Sequence, residues 1–161
     1  MSEKLTIGIS DWKICRSPDI LVTYALGSCV GICLYDKLTR IAGLSHIMLP
    51  DSKAIVNDPN LNRMKFADTA IVDMYQQMIA SGASAARLTA KIAGGALMFA
   101  TTNDKFNIGE RNVIAVKQAL ARLRIPIVAQ DTGSNYGRTV FFYSEDGKVE
   151  IKSTTKGVNV L

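Results

Sequence analysis

The sequence predicts an α/β protein: a single-domain layered sandwich with a mixed β-sheet core and helices packed on it. Three observations predict it. Strand-like segments come first, and helices and strands alternate afterwards. Two neighbouring segments, "CVGICLYD" and "RIAGLSHIML", are apolar on both faces and so belong at the centre of a layered fold. Two later segments switch to helical periodicity. At 161 residues the chain can bury one substantial core, and it is read as one domain over residues 1–161.

The elements follow in order. "KLTIGIS" and "DILVTYA" have strand composition, and "CVGICLYD" and "RIAGLSHIML" form a hairpin with a tight turn near Lys37-Leu38. "PDSKAIVNDPNLNR" is a polar loop punctuated by Pro50 and Pro59. From Lys65 to Ser81 the apolar residues Ala67, Ile71, Met74, Met78 and Ile79 recur at three- and four-residue spacings, with Gly82 as the stop. "ARLTAKIAGG" is a strand running into a glycine pair. "NIGERNVIAVKQALARL" is a second amphipathic helix, with Asn107 as its cap. "IPIVAQD" and "RTVFFYS" are strands flanking the loop "DTGSNYG", and "EDGK" turns into the strand "VEIKST". The final "KGVNVL" is expected to fray.

Composition narrows the functional classes. The chain is 48% hydrophobic and 20% charged, which is globular rather than disordered. Its formal net charge of +5 comes without a dense Lys/Arg run or basic–aromatic interleaving. That gives little support to nucleic-acid binding and equally suits an acidic protein partner. The longest charge-free stretch, Ile20 to Tyr35, is broken by Gly27-Ser28 and too short for a membrane helix. "MSEKLTIGIS" lacks a basic-then-apolar signal pattern, so a cytoplasmic protein without membrane insertion is expected. Three cysteines are an odd number and do not suggest a disulfide framework.

The segment "LGSCVGICLYDKLTRIAGLSH" holds Cys29, Cys33 and the only histidine, His46. With a two-residue loop at Lys37-Leu38, Cys29 falls directly opposite His46 on one face. A thiol and an imidazole so placed can form a nucleophile–base pair, held as thiolate and imidazolium. "GSC" puts Cys29 just after a flexible turn, where backbone N–H groups can converge on an oxyanion. Such a pair needs a third group to orient the imidazole, and Thr23, six residues before Cys29, is the candidate. On the residues alone the pair is as readily structural as catalytic, and Thr23 reads first as an ordinary β-branched strand residue. Cys15 and Cys33 read as core. A zinc site of Cys15, Cys29, Cys33 and His46 fits poorly, because Cys29 and Cys33 on one strand stand about 13 Å apart. No metal or organic cofactor is required.

Several segments taken together carry a family resemblance. "TYALGSCVGICLYD", "AGLSHIMLPDS", "KFADTAI", "AKIAGGALMF", "NIGERN" and "AQDTGSNYGR", in this order over nearly the whole chain, resemble the chemoreceptor glutamine deamidases of bacterial and archaeal chemotaxis, the CheD family. One departure is Ser134, where the family often has a second glycine. The resemblance implies an α/β sandwich shared with glutamine-deamidating toxins. It implies hydrolysis of glutamine side chains in chemoreceptor cytoplasmic domains, with Cys29, His46 and Thr23 as catalytic cysteine, histidine and threonine. It also implies a CheC-type phosphatase partner, for which Phe99 in "GGALMF" is the candidate anchor, although such a residue more often returns to the core. The alternative function is a mainly non-catalytic regulator of that phosphatase. Hydrolysis of glutamyl methyl esters is a close enzymatic variant.

Overall fold

The computed structural model describes residues 2–53, 58–98 and 107–161. In chain order the strands are β1 (Lys4–Ile7), β2 (Asp11–Arg16), β3 (Ile20–Leu26), β4 (Val30–Asp36) and β5 (Ile41–Ile47). Helix α1 (Ala67–Ala80), β6 (Thr89–Gly94) and α2 (Ile108–Arg122) follow, then β7 (Ile127–Thr132), β8 (Arg138–Tyr143), β9 (Val149–Ser153) and β10 (Gly157–Val160). The strands form two sheets, ordered β1-β3-β8-β9-β10 and β2-β5-β4-β6-β7. Both are mixed, since β1 runs parallel to β3, and β6 parallel to β7, within otherwise antiparallel ladders. The predicted layered α/β sandwich is therefore present, built on two sheets.

Period-two alternation in β4 divides the core in two. Val30, Ile32 and Leu34 point to the helices and pack with Ile71, Met74, Val116 and Leu120. Cys33 and Tyr35 point the other way and pack with Val140, Phe142 and Ile151 of the first sheet. Every residue of β4 and β5 is buried, as apolar residues on both faces require. Each large aliphatic side chain buried this way contributes about 1.5–3 kcal/mol. The chain crosses from the first sheet to the second between β3 and β4, at Gly27–Cys29.

Helix α2 begins, and helix α1 ends, on the predicted signals. Asn107 caps α2, its Oδ1 accepting the Glu110 N–H at 3.1 Å. Helix α1 closes at Ser81 and is followed by Gly82 at φ +115°.

Two sequence expectations are corrected, and one segment left unassigned is placed. "DWKICR" is a strand, β2, pairing antiparallel with β5 along a sheet edge. The last residues do not fray: β10 pairs with β9 although its side chains are exposed, so backbone bonding rather than burial holds it. The β4–β5 loop has four residues, Lys37 to Arg40, instead of two. Asp36 sets this length, since its Oδ1 accepts the N–H groups of Leu38 at 3.0 Å and Thr39 at 3.4 Å. Burial opposes ionisation of Asp36. The Arg87 guanidinium and the backbone donors outweigh it and hold the carboxyl well below the usual carboxylate range.

Candidate active site

Thr23 reaches the interior from β3. A bulge at Tyr24 and Ala25, with Ala25 at φ +59°, lets Thr23 and Leu26 both point inward, and both are fully buried. The Thr23 Oγ1 lies 2.8 Å from the carbonyl oxygen of Ile7, its partner on β1, and 2.7 Å from His46 Nδ1. These two contacts fix the tautomer. Two oxygens at 2.8 Å need a proton between them, and the carbonyl has none, so the hydroxyl donates to Ile7. His46 Nδ1 must then carry its own proton and donate it to Thr23. Nε2 is left with a lone pair and, among the described residues, has no hydrogen-bond partner.

His46 sits on β5, directly opposite Gly31 of β4. The four-residue loop shifts the register by two residues from the sequence expectation, so Cys29 is not the direct partner of His46. A shift of two keeps the face, and Cys29 stands diagonally from His46, two positions beyond Gly31. Glycine at position 31 keeps this face clear, because a Cβ there would come within 3.2 Å of Leu26 Cδ1.

Three successive carbonyls of the crossover are tied down. The Gly27 oxygen accepts from Ala96 N–H at 2.9 Å, and the Cys29 oxygen from Gly95 N–H at 2.8 Å. Between them, the Ser28 oxygen accepts from Asn112 Nδ2 at 2.9 Å. Among the described residues the amides of Ser28 and Cys29 donate to no other backbone or side-chain oxygen. The glycine pair at the end of β6 is what lets the backbones approach. A Cβ at Gly94 would lie 2.2 Å from the Cys29 oxygen, and Gly94 adopts φ +108°.

Burial sets the charge states. It pushes the thiol of half-buried Cys29 up, partly offset by its own backbone N–H. It lowers His46 to about 4. Burial thus favours the neutral thiol and the neutral imidazole over the ion pair.

The structure thus bonds Thr23 to His46 and puts Cys29 on the same face nearby. Cys15 and Cys33 lie in the core between the sheets, as expected. Among the described residues no three His, Cys, Asp or Glu side chains are grouped to hold a metal. Phe99 lies outside the described residues. A cleft of about 420 Å³ beside Gly95, Val113 and Ser134 is lined by none of Thr23, Cys29 and His46. Ser134 sits at φ +59°, the left-handed region that explains a glycine preference there. Sequence reasoning missed Asn112. Its signal was a polar residue on the buried face of α2, in line with Gly109, Val116 and Ala119.

A buried Thr–His pair beside a cysteine on a tethered loop can set a base next to a nucleophile. Comparison with known proteins gives the family. The sequence model of CheD, CheD chemotactic sensory transduction, matches residues 48–153. The chain is 52% identical over 162 residues to "Probable chemoreceptor glutamine deamidase CheD" of Caldanaerobacter subterraneus subsp. tengcongensis, covering 99% of each. It is 44% identical to "Chemoreceptor glutamine deamidase CheD" of Bacillus licheniformis, over 98% of this chain and 94% of the relative. The protein of the same name from Bacillus subtilis is also 44% identical, over 95% and 93%. The chain belongs to the CheD family. No helix among the described residues is long and apolar enough to cross a membrane.

Proposed function

We propose that the protein hydrolyses specific glutamine side chains of chemoreceptor cytoplasmic domains to glutamate, through a thioester on Cys29. The observation that carries this reading is the tautomer of His46: Thr23 holds the Nδ1 proton, leaving Nε2 free as a base on the Cys29 face. The names of the relatives supply the substrate.

The residues support the following course. His46 Nε2 takes the Cys29 proton as Sγ attacks the glutamine amide carbon. The resulting oxyanion meets the Cys29 N–H, a donor of the kind worth about 10²–10³ in rate. The imidazolium, steadied by Thr23, passes its proton to the departing ammonia as the C–N bond breaks. His46 next takes a proton from water, hydroxide attacks the thioester, and the thiolate leaves and is reprotonated. The product carries one more negative charge and is a carboxylate that can be methylated. Family membership further supports a cytoplasmic setting and a CheC-type phosphatase partner, with Phe99 as an anchor.

Incubation with receptor cytoplasmic fragments, with Gln-to-Glu conversion mapped by mass spectrometry, tests the activity. Conversion by wild type and none by Cys29→Ala is expected, and equal conversion by both would end the nucleophile assignment. For the partner, Phe99→Asp is expected to lower affinity for the phosphatase in calorimetry. A folded variant with wild-type affinity would place the interface elsewhere.

A further inference from the structure

Asn112 makes two hydrogen bonds from one buried carboxamide. Its side chain is fully buried, and Nδ2 donates to the Ser28 oxygen at 2.9 Å and to the Met48 oxygen at 3.0 Å. Ser28 precedes Cys29, and Met48 stands two residues beyond His46. One group on α2 therefore joins the nucleophile loop to the end of the strand that carries the base.

The Ser28 carbonyl belongs to the peptide whose N–H is that of Cys29. This peptide is trans, so its C=O and N–H point in opposite directions within one plane. Holding the oxygen toward α2 turns the N–H away from α2, to the side on which it partly offsets the burial of the Cys29 sulfur. A hydrogen bond on the oxygen also polarises the peptide and strengthens its N–H as a donor. Neither aspartate nor alanine does the same work. An aspartate of the same shape would face two carbonyls without a donor, and an alanine would leave both oxygens short of a partner inside the fold.

We infer that Asn112 is a positioning residue for catalysis: it orients and polarises the Ser28–Cys29 peptide so that the Cys29 N–H meets the developing oxyanion, and it fixes the nucleophile loop against the His46 strand. The inference rests on the reading of Cys29 as nucleophile.

The test compares wild type with Asn112→Asp, Asn112→Ala and Cys29→Ala on a receptor cytoplasmic fragment. In the Asn112 variants kcat falls about 10- to 100-fold with KM unchanged. The Cys29 thiol pKa, read from iodoacetamide labelling against pH, rises in both variants, because the Cys29 N–H that offsets its burial is no longer held toward the sulfur. A folded Asn112 variant with wild-type kcat overturns the inference. So does an unchanged labelling profile, which would show that Asn112 does not hold the Cys29 N–H beside the sulfur. If neither variant folds, the wild-type protein decides. The Cys29 amide is expected to have an NMR order parameter near 0.85, like the strands, and a value below about 0.6 overturns the inference. Activity retained by Cys29→Ala would instead defeat the nucleophile reading, whatever the Asn112 variants do.

Discussion

Thr23 and His46 belong to different sheets, and the 2.7 Å contact between Thr23 Oγ1 and His46 Nδ1 joins the sheets inside the core. Thr23 needs its hydroxyl for this, because the one oxygen both donates to Ile7 and accepts from the imidazole. Thr23→Val keeps the shape but strands a carbonyl and an N–H. Unfolding free energy is expected to fall by about 1–3 kcal/mol in urea titrations. Deamidation is expected to fall at least tenfold, roughly the lower reach of losing an oriented base. Thr23→Ser should keep most of both, and losses in Thr23→Ser with none in Thr23→Val would mean that the methyl, not the hydroxyl, matters.

The depressed basicity of His46 makes stability depend on pH. Its folded value is about 4 against an ordinary 6.5, and the cause is burial. Above 6.5 the imidazole is neutral in both states and nothing is lost. Between 6.5 and 4 the unfolded chain takes up a proton that the folded protein refuses. Stability therefore declines through that window, by on the order of 3 kcal/mol in full. Urea midpoints of wild type and His46→Gln, measured across the window, should differ in slope. Parallel curves would show that His46 titrates normally in the folded state.

The three thiols differ in their burial. Burial pushes Cys15 up to about 11 and fully enclosed Cys33 further still, while Cys29 is raised with its own amide as an offset. Iodoacetamide at mildly alkaline pH should modify native protein at Cys29 first and leave Cys33 untouched, as read by peptide mapping. The Cys29 rate should climb with pH instead of reaching a plateau below neutrality. A low-pH plateau would establish a thiolate–imidazolium pair in the free protein.

Gly94→Ala should damage the site through the backbone. The added Cβ would meet the Cys29 carbonyl at 2.2 Å, and neither chain can yield without disturbing the bond from Gly95. At φ +108° the alanine is also strained in itself. A lower thermal midpoint together with at least tenfold lower activity is expected. A variant with wild-type activity would show that the nucleophile loop tolerates displacement.

The sequence made the layered arrangement legible because burial on both faces leaves a mark. β4 and β5 read as central since both parities are apolar, and both helices could be placed by period and cap. Edge strands leave no such mark, so β2 and β10 were missed, their pairing being a matter of backbone. Residue type and spacing singled out Cys29 and His46 as candidates, and the common face predicted for them is the one the β4–β5 register gives. The register was wrong by two because Asp36, a residue outside the loop, decides the loop's length. Asn112 was overlooked for a related reason. Its partners are main-chain oxygens remote in sequence, which no local pattern announces.

The crossover at Gly27–Cys29 puts the sulfur on the seam where one sheet hands the chain to the other, with Thr23 on one side and His46 on the other. On the proposed mechanism, catalytic output is a gauge of the gap between the sheets, normally about 10 Å. Widening that gap by an ångström would separate the three groups while leaving each ladder intact. Chemistry should disappear ahead of ellipticity as denaturant is raised, and a ligand that wedges the sheets apart would silence the enzyme from a distance without touching the sulfur.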